Sequence, residues 1–149
     1  MITIYNVLGL GGTFDHLHEG HKLLIRTALE FSRKIVIGLI SDSLLNNKKF
    51  ASRLEKFEIR EKKLVEFIKH ISDLNRVEII ELKDPFGPPI YEEKYEAIVV
   101  SQETYSNALK INELRLKKGF NPLIIIVIPI LKDKYEHKIS STSIRKSMM

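Results

Sequence analysis

Cysteine is absent from the 149 residues of this chain. Its absence excludes a disulfide scaffold, a thiol nucleophile, cysteine-ligated zinc and an iron–sulfur cluster. It fits a reducing compartment, and a cytoplasmic protein is expected. Long hydrophobic runs are missing too. The longest nearly unbroken one, 122–131, is about half of the ~20 residues that a membrane-spanning helix needs, so no membrane partner is expected. The opening MITIYNVLGLGG lacks the basic stretch of a secretory signal, so none is expected. No repeat, low-complexity tract or linker interrupts the chain. The composition, 44% hydrophobic and 29% charged, excludes wholesale disorder. A single domain spanning 1–149 is expected, long enough to bury roughly 68–70% of its unfolded surface.

Charge of neither sign dominates. Lys+Arg 24 against Asp+Glu 19 gives a net +5 and a pI near 9.3. A solvated lysine-rich surface and a small polyanionic ligand such as a nucleotide both accommodate that excess. The basic residues are spread along the chain and interleaved with acids, which argues against a nucleic-acid partner.

What the chain does contain is alternation of short β-branched runs with longer amphipathic stretches. Strands are expected at 2–10, 34–40, 77–82, 97–101 and 123–130. Helices are expected at 20–32, 54–71 and 102–118, the last stopped by Gly119. Residues 41–53 read as a polar loop with a helical turn, and 84–89 (DPFGPP) as a breaker-rich connection. Ser140 or Ser141 would cap a final short helix running to about Lys146. Apolar strands separated by helices imply an α/β fold: a Rossmann-like, doubly wound sheet of about five parallel strands with helices on both faces. Ligands of such sheets sit beyond the carboxyl ends of the strands. The site should therefore draw on 11–21, the stretch after Ile40, 101–104 and the stretch after Ile130.

Two motifs carry chemistry. The first is Gly11-Gly12-Thr13-Phe14-Asp15-His16-Leu17-His18-Glu19-Gly20-His21, between the first strand and the first helix. Glycines there let the main chain approach a phosphate closely. The helix entrance at Gly20 and His21 favours anions through its free N–H groups and dipole. His18 and His21, three apart, share one side of that entrance and can donate to one anion. Phe14 occupies the third glycine position of a dinucleotide fingerprint, which removes that reading. No third ligand accompanies the two histidines, so no protein-held metal is expected. The second motif is Lys138-Ile139-Ser140-Ser141-Thr142-Ser143-Ile144-Arg145. Hydroxyls and N–H groups at a helix start, with Arg145 one turn on, suit a di- or triphosphate. A plain cap with a surface arginine suits the same residues.

Taken together, HLHEGH resembles the HxGH signature of the nucleotidyltransferase superfamily, and ISSTSIR resembles its ISSTxxR signature. GGTFDHLHEGH, Lys48-Lys49, DPFGP, VVSQET and KINELR are similar to the archaeal and eukaryotic type of phosphopantetheine adenylyltransferase, over nearly the whole chain. The resemblance implies an enzyme of coenzyme A biosynthesis that joins ATP, with Mg²⁺, to 4′-phosphopantetheine, giving dephospho-coenzyme A and pyrophosphate. It implies that His21 stabilises the transition state at the α-phosphate and that His18 binds ATP phosphates. Gly11, Gly12, Thr13, Phe14 and Gly20 would line the ATP site, with Thr13 between the two substrates. Lys48, otherwise one of a solvated pair, would grip the acceptor phosphate beside Ser101. Ile139, Ser140, Ser141, Thr142 and Arg145 would hold the β- and γ-phosphates, and Glu103 and Asn112 would lie near the adenine. The bacterial RGxR segment is replaced here by Ser101-Gln102-Glu103-Thr104, so its arginine contacts do not carry over.

A phosphate monoester is mostly dianionic at neutral pH, its second pKa being near 6. The nucleophile is thus already deprotonated, and direct in-line attack needs no general base and no covalent intermediate. Positioning and charge stabilisation should supply the catalysis. The alternative is another HxGH transferase, acting on nicotinamide mononucleotide or FMN, or a cytidylyltransferase. The last usually carries RTxGISTT, where this chain has Tyr135-Glu136-His137-Lys138 before Ile139. Asp15 could orient a histidine or cap the turn, while His70 suits the carboxyl end of its helix. His137 fits the phosphate site or an exposed loop. A homo-oligomer is compatible with the sequence but not required by it.

Overall fold

A computed structural model describes residues 4–45 and 54–129. Five parallel strands, β1 (Tyr5–Gly12), β2 (Ser32–Ile40), β3 (Val77–Leu82), β4 (Ala97–Val100) and β5 (Ile124–Val127), form one sheet. Their order is β3-β2-β1-β4-β5, so the chain reverses its direction of travel between β1 and β4. That reversal opens a crevice at the carboxyl ends of those two strands, where such sheets take ligands. The helices are α1 (Glu19–Glu30), α2 (Asp42–Leu45), α3 (Phe57–Ile71) and α4 (Tyr105–Lys117). Among the described residues, no helix is long and apolar enough to cross a membrane.

The strand alternation sorts side chains onto two faces. Leu8 and Leu10 of β1 pack with Ile25 and Ala28 of α1 and with Leu64 and Ile68 of α3. The opposite face packs Val36 and Ile98 against Ala108 and Ile111 of α4. The expected α/β architecture with helices on both faces is therefore the one adopted.

Boundaries differ from expectation for local reasons. β1 runs two residues past Leu10, because Gly11 and Gly12 stay in register with Gly38 and Leu39. β5 is shorter than 123–130, since its ladder pairs only Ala97–Val100 of β4. α4 starts at Tyr105 rather than Gln102. The preceding residues form a turn in which the Ser101 N–H donates to Thr104 Oγ1 and the Thr104 N–H donates to the Ser101 carbonyl. Its other end stops as the sequence predicts. Gly119 adopts φ 80°, and the N–H groups of Gly119 and Phe120 return to the carbonyls of Leu116 and Arg115. The helical turn expected within 41–53 is α2. The expected helix at 140–146 lies outside the described residues.

Arg115 of α4 is 1% exposed. Its guanidinium donates to the carbonyls of Asn121, Pro89, Glu92, Glu93 and Tyr95, which fixes the 89–95 connection under the helix. Leu82 packs onto Gly38 of β2. A Cβ built on Gly38 would come within 2.6 Å of Leu82 Cδ1 and 2.7 Å of its Cγ. Gly38→Ala therefore overpacks the sheet and should lower stability by about 1–3 kcal/mol. Urea melts of the two proteins check this, and equal midpoints would contradict it.

Candidate active site

β1 delivers the chain to Gly12 at the centre of the sheet, and α1 begins seven residues later. The intervening turn is tightly specified. Phe14 and His16 both adopt positive φ, 51° and 49°, a region that non-glycine residues enter at a cost. The Phe14 side chain is buried and meets the His21 ring at 5.3 Å between centroids. Asp15 is wholly buried, and its Oδ1 accepts from the Glu55 N–H at 2.8 Å. The His16 N–H donates to Glu55 Oε1 at 2.8 Å. Asp15 thus ties this turn to the chain ahead of α3, while its Oδ2 lies 3.6 Å from His16 Nε2. Burial would raise the Glu55 carboxyl, but the bonds from Lys63 and the His16 main chain, with their charges, hold it below the usual range.

The entrance of α1 is capped by imidazoles. His18 is the N-cap residue, and its Nδ1 accepts from the Gly20 N–H at 3.1 Å. His21, three residues on, returns the arrangement: its Nδ1 accepts from the His18 N–H at 3.2 Å. This is a capping box with two histidines in place of the usual hydroxyl and carboxylate residues. The rings stack at 3.7 Å with 19° between their planes. A nitrogen that accepts from an amide carries no proton. Each ring is therefore neutral with its proton on Nε2, which leaves Nε2–H as a donor. His18 Nε2 is buried without a hydrogen-bond partner among the described residues. A buried, unanswered donor at a helix N-terminus fits an anion there. Burial lowers the pKa of both rings. His21 falls to about 3, with the neighbouring His18 adding to the effect, while Glu19 partly offsets the fall at His18.

Beside this turn, on the α4 face, lies a cavity of about 120 Å³. Gly9, Gly11 and Gly38 form part of its lining, with Leu82, Phe86 and Ile98. The missing side chains of Gly9 and Gly11 leave this space open against Tyr95 and Leu82. The 84–89 connection walls it. Asp84 Oδ1 accepts from the N–H groups of Phe86 and Gly87 and so shapes the loop. Thr104 and Asn107 bring polar groups to the same cavity.

The structure thus brings together Gly11, Gly12, Thr13, Phe14, His18, Gly20 and His21 at the carboxyl end of β1. Ser101 lies at the end of the neighbouring β4, and Glu103 is exposed on the turn after it. Asn112 is engaged elsewhere: its amide donates to the Leu123 carbonyl, and its Oδ1 accepts from the Leu123 N–H. It holds the approach to β5, so an adenine contact would have to break that pairing. His70 lies in the last turn of α3, as its structural reading had it. Lys48, His137, Ile139, Ser140, Ser141, Thr142 and Arg145 lie outside the described residues. Asp15, His16 and Glu55 each offer one ligand atom within 4.8 Å of the others, so they could hold a cation, with Lys63 paired to Glu55 as competitor.

Residues 10–147 match the cytidylyltransferase-like family. The chain belongs to that family. Within it, relatives named phosphopantetheine adenylyltransferase place it in that branch. The one from Pyrococcus abyssi is 44% identical over 94% of this chain and 88% of its own length. The one from Saccharomyces cerevisiae is 37% identical over 95% of this chain and 48% of its own. A crystal structure of a protein of unknown function from Archaeoglobus fulgidus superposes with TM-score 0.70 at 33% identity, over 81% of this chain and 87% of that one. The chain is therefore a nucleotidyltransferase.

The neutral imidazole pair has a consequence for acid stability. Unfolded imidazoles take up protons near pH 6.5, while these rings titrate lower in the fold. The stability they contribute is whole above about pH 6.5 and drains away as pH falls toward about 3. In His21→Asn the amide oxygen keeps the bond from the His18 N–H without a titrating ring. Its urea midpoint should fall less between about pH 7.5 and about pH 5 than that of the wild type. Identical falls would contradict the assignment.

Proposed function

We propose that this chain transfers AMP from ATP to 4′-phosphopantetheine, giving dephospho-coenzyme A and pyrophosphate in coenzyme A biosynthesis. The observation that carries the reading is the histidine capping box at the switch point, in a chain 44% identical to a phosphopantetheine adenylyltransferase over most of its length. The whole of 1–149 acts as one domain, in the cytoplasm, without nucleic acid.

ATP enters as its Mg²⁺ complex, the cation held mostly by phosphates and water. The acceptor phosphate is already dianionic near neutral pH. It attacks the α-phosphorus in line, a P–O bond forms, and the bond to the bridging oxygen breaks to release pyrophosphate. What the protein must supply is alignment of two polyanions and relief of the charge gathering on the α-phosphoryl oxygens. His18 and His21 supply fixed donors that bring no proton to be lost. Gly11 and Gly12 at the end of β1 admit the phosphates, and Thr13 stands between the substrates. Lys48 draws the acceptor phosphate, with Ser101 beside it. Ile139, Ser140, Ser141, Thr142 and Arg145 take the leaving pyrophosphate, and Glu103 lies toward the base. The apolar cavity beside Gly9 and Gly11 suits the acceptor's pantetheine arm, since its glycine-floored walls admit a slender, mostly apolar chain.

His21→Ala should lower turnover by roughly 10²–10³, the scale for one transition-state donor, with a smaller loss of ATP affinity. A coupled pyrophosphate assay and calorimetric ATP titration check this. Unchanged turnover removes His21 from the mechanism. Wild-type turnover with nicotinamide mononucleotide but not with 4′-phosphopantetheine overturns the acceptor.

A further inference from the structure

Arg60 of α3 is 0% exposed, yet it carries a full charge. Its guanidinium is spent on four groups. Nε donates to the Glu55 carbonyl at 2.9 Å, and Nη2 donates to Asp42 Oδ1 at 2.9 Å. Nη1 donates to two carbonyls at once: Thr13 at 3.0 Å and Ile40 at 2.7 Å. Those carbonyls belong to the residues at the carboxyl ends of β1 and β2. Arg60 therefore joins the two strand ends from which the active-site turns depart.

We propose that Arg60 is a positioning residue of adenylyl transfer, acting through the main chain of Thr13. This rests on the transferase reading above. All the described peptide bonds are trans, so the Thr13 carbonyl and the Phe14 N–H point in opposite directions. Drawing the carbonyl onto Arg60 fixes which way that N–H faces, together with the path of Thr13. The next residue, Phe14, sits at positive φ, and so does His16. Such conformations persist only where the surroundings over-determine them. Here two ties do so from the same quarter: Arg60 on Thr13, and Glu55 on Asp15 and His16. Arg60 also holds Glu55 by its carbonyl, so both ties run through one guanidinium. Phe14 in turn bears on the His21 ring.

A staple that merely held the core together would behave differently, and the fold contains one for comparison. Arg76 donates to the carbonyls of Leu29, Ser32 and Arg33 at the opposite end of the sheet, ahead of β3. It makes bonds of the same kind, far from the switch point.

The test compares wild type, Arg60→Lys, Asp42→Asn and Arg76→Lys in the full chain, with ATP and 4′-phosphopantetheine. Lysine lacks the planar fork and cannot serve all four acceptors of Arg60. Asp42 is partly exposed, and its change loosens one bond of the Arg60 set, together with the bond it accepts from the Phe57 N–H, while leaving the core filled. Arg60→Lys should lower kcat roughly 10- to 100-fold, with KM for ATP changed far less, as expected for reacting groups out of line. Asp42→Asn should lower kcat in the same direction by less. Arg76→Lys should lose thermal stability and keep its kcat. The Phe14 amide resonance should move in the first two variants and stay in the third. If Arg60→Lys does not fold, Asp42→Asn decides. Wild-type kcat in the folded variants at positions 60 and 42, or an equal fall at position 76, overturns the proposal while the transferase reading stands. A wild-type protein that turns over neither substrate ends both.

Discussion

The structure depends on one exchange of hydrogen bonds at the start of α1. Two main-chain N–H groups that every helix leaves unanswered are taken by the Nδ1 atoms of His18 and His21. That single constraint does three things. It ends the turn after β1 and starts the helix. It sets the tautomer of both rings. It also directs their remaining donors away from the helix that they cap. A lysine in the same place would bring more charge, but it could not cap and could not be fixed by the main chain.

Neutral, fixed donors suit a reaction between two anions. Charge on the nucleophile and the leaving group is supplied by the substrates, so the protein's part is geometric. Much of this fold serves geometry. Phe14 and His16 accept costly conformations and are held there by Glu55 and Arg60. Asp42 serves twice, since its carboxylate accepts from the first N–H of α3 as well as from Arg60. The start of α3, lacking a side-chain cap of its own, is thereby tied to the end of β2.

The parallel sheet and its helices were readable because they rest on local pattern. Short, β-branched apolar runs such as 35–40 fit buried strands, and glycines after the first run marked its carboxyl end. The spacing of His18 and His21 showed that they share a helix entrance. It did not show that His18 caps the Gly20 N–H and His21 the His18 N–H, because that depends on how each ring is turned. In the sequence Gly11 reads as clearance for phosphate, and the fold adds that it floors, with Gly9, a cavity beneath the 84–89 connection. Arg60 escaped notice among the charges of its helix. The signal was present: it lies three residues from Phe57 and four from Leu64, on the face that the apolar residues occupy. Two of its acceptors are the Thr13 and Ile40 carbonyls, from distant segments that no local pattern reveals. Asn112 is the converse case, an amide attractive for a base contact whose partner proves to be Leu123.

The most direct test of the account is the protonation state of the two capping rings, read from imidazole ¹⁵N resonances of the full chain near neutral pH, with and without ATP. The account predicts unprotonated Nδ1 and protonated Nε2 for both His18 and His21 in either state, with ATP shifting only the Nε2–H signals. A proton on Nδ1 of either ring, or an imidazolium form induced by ATP, would contradict it.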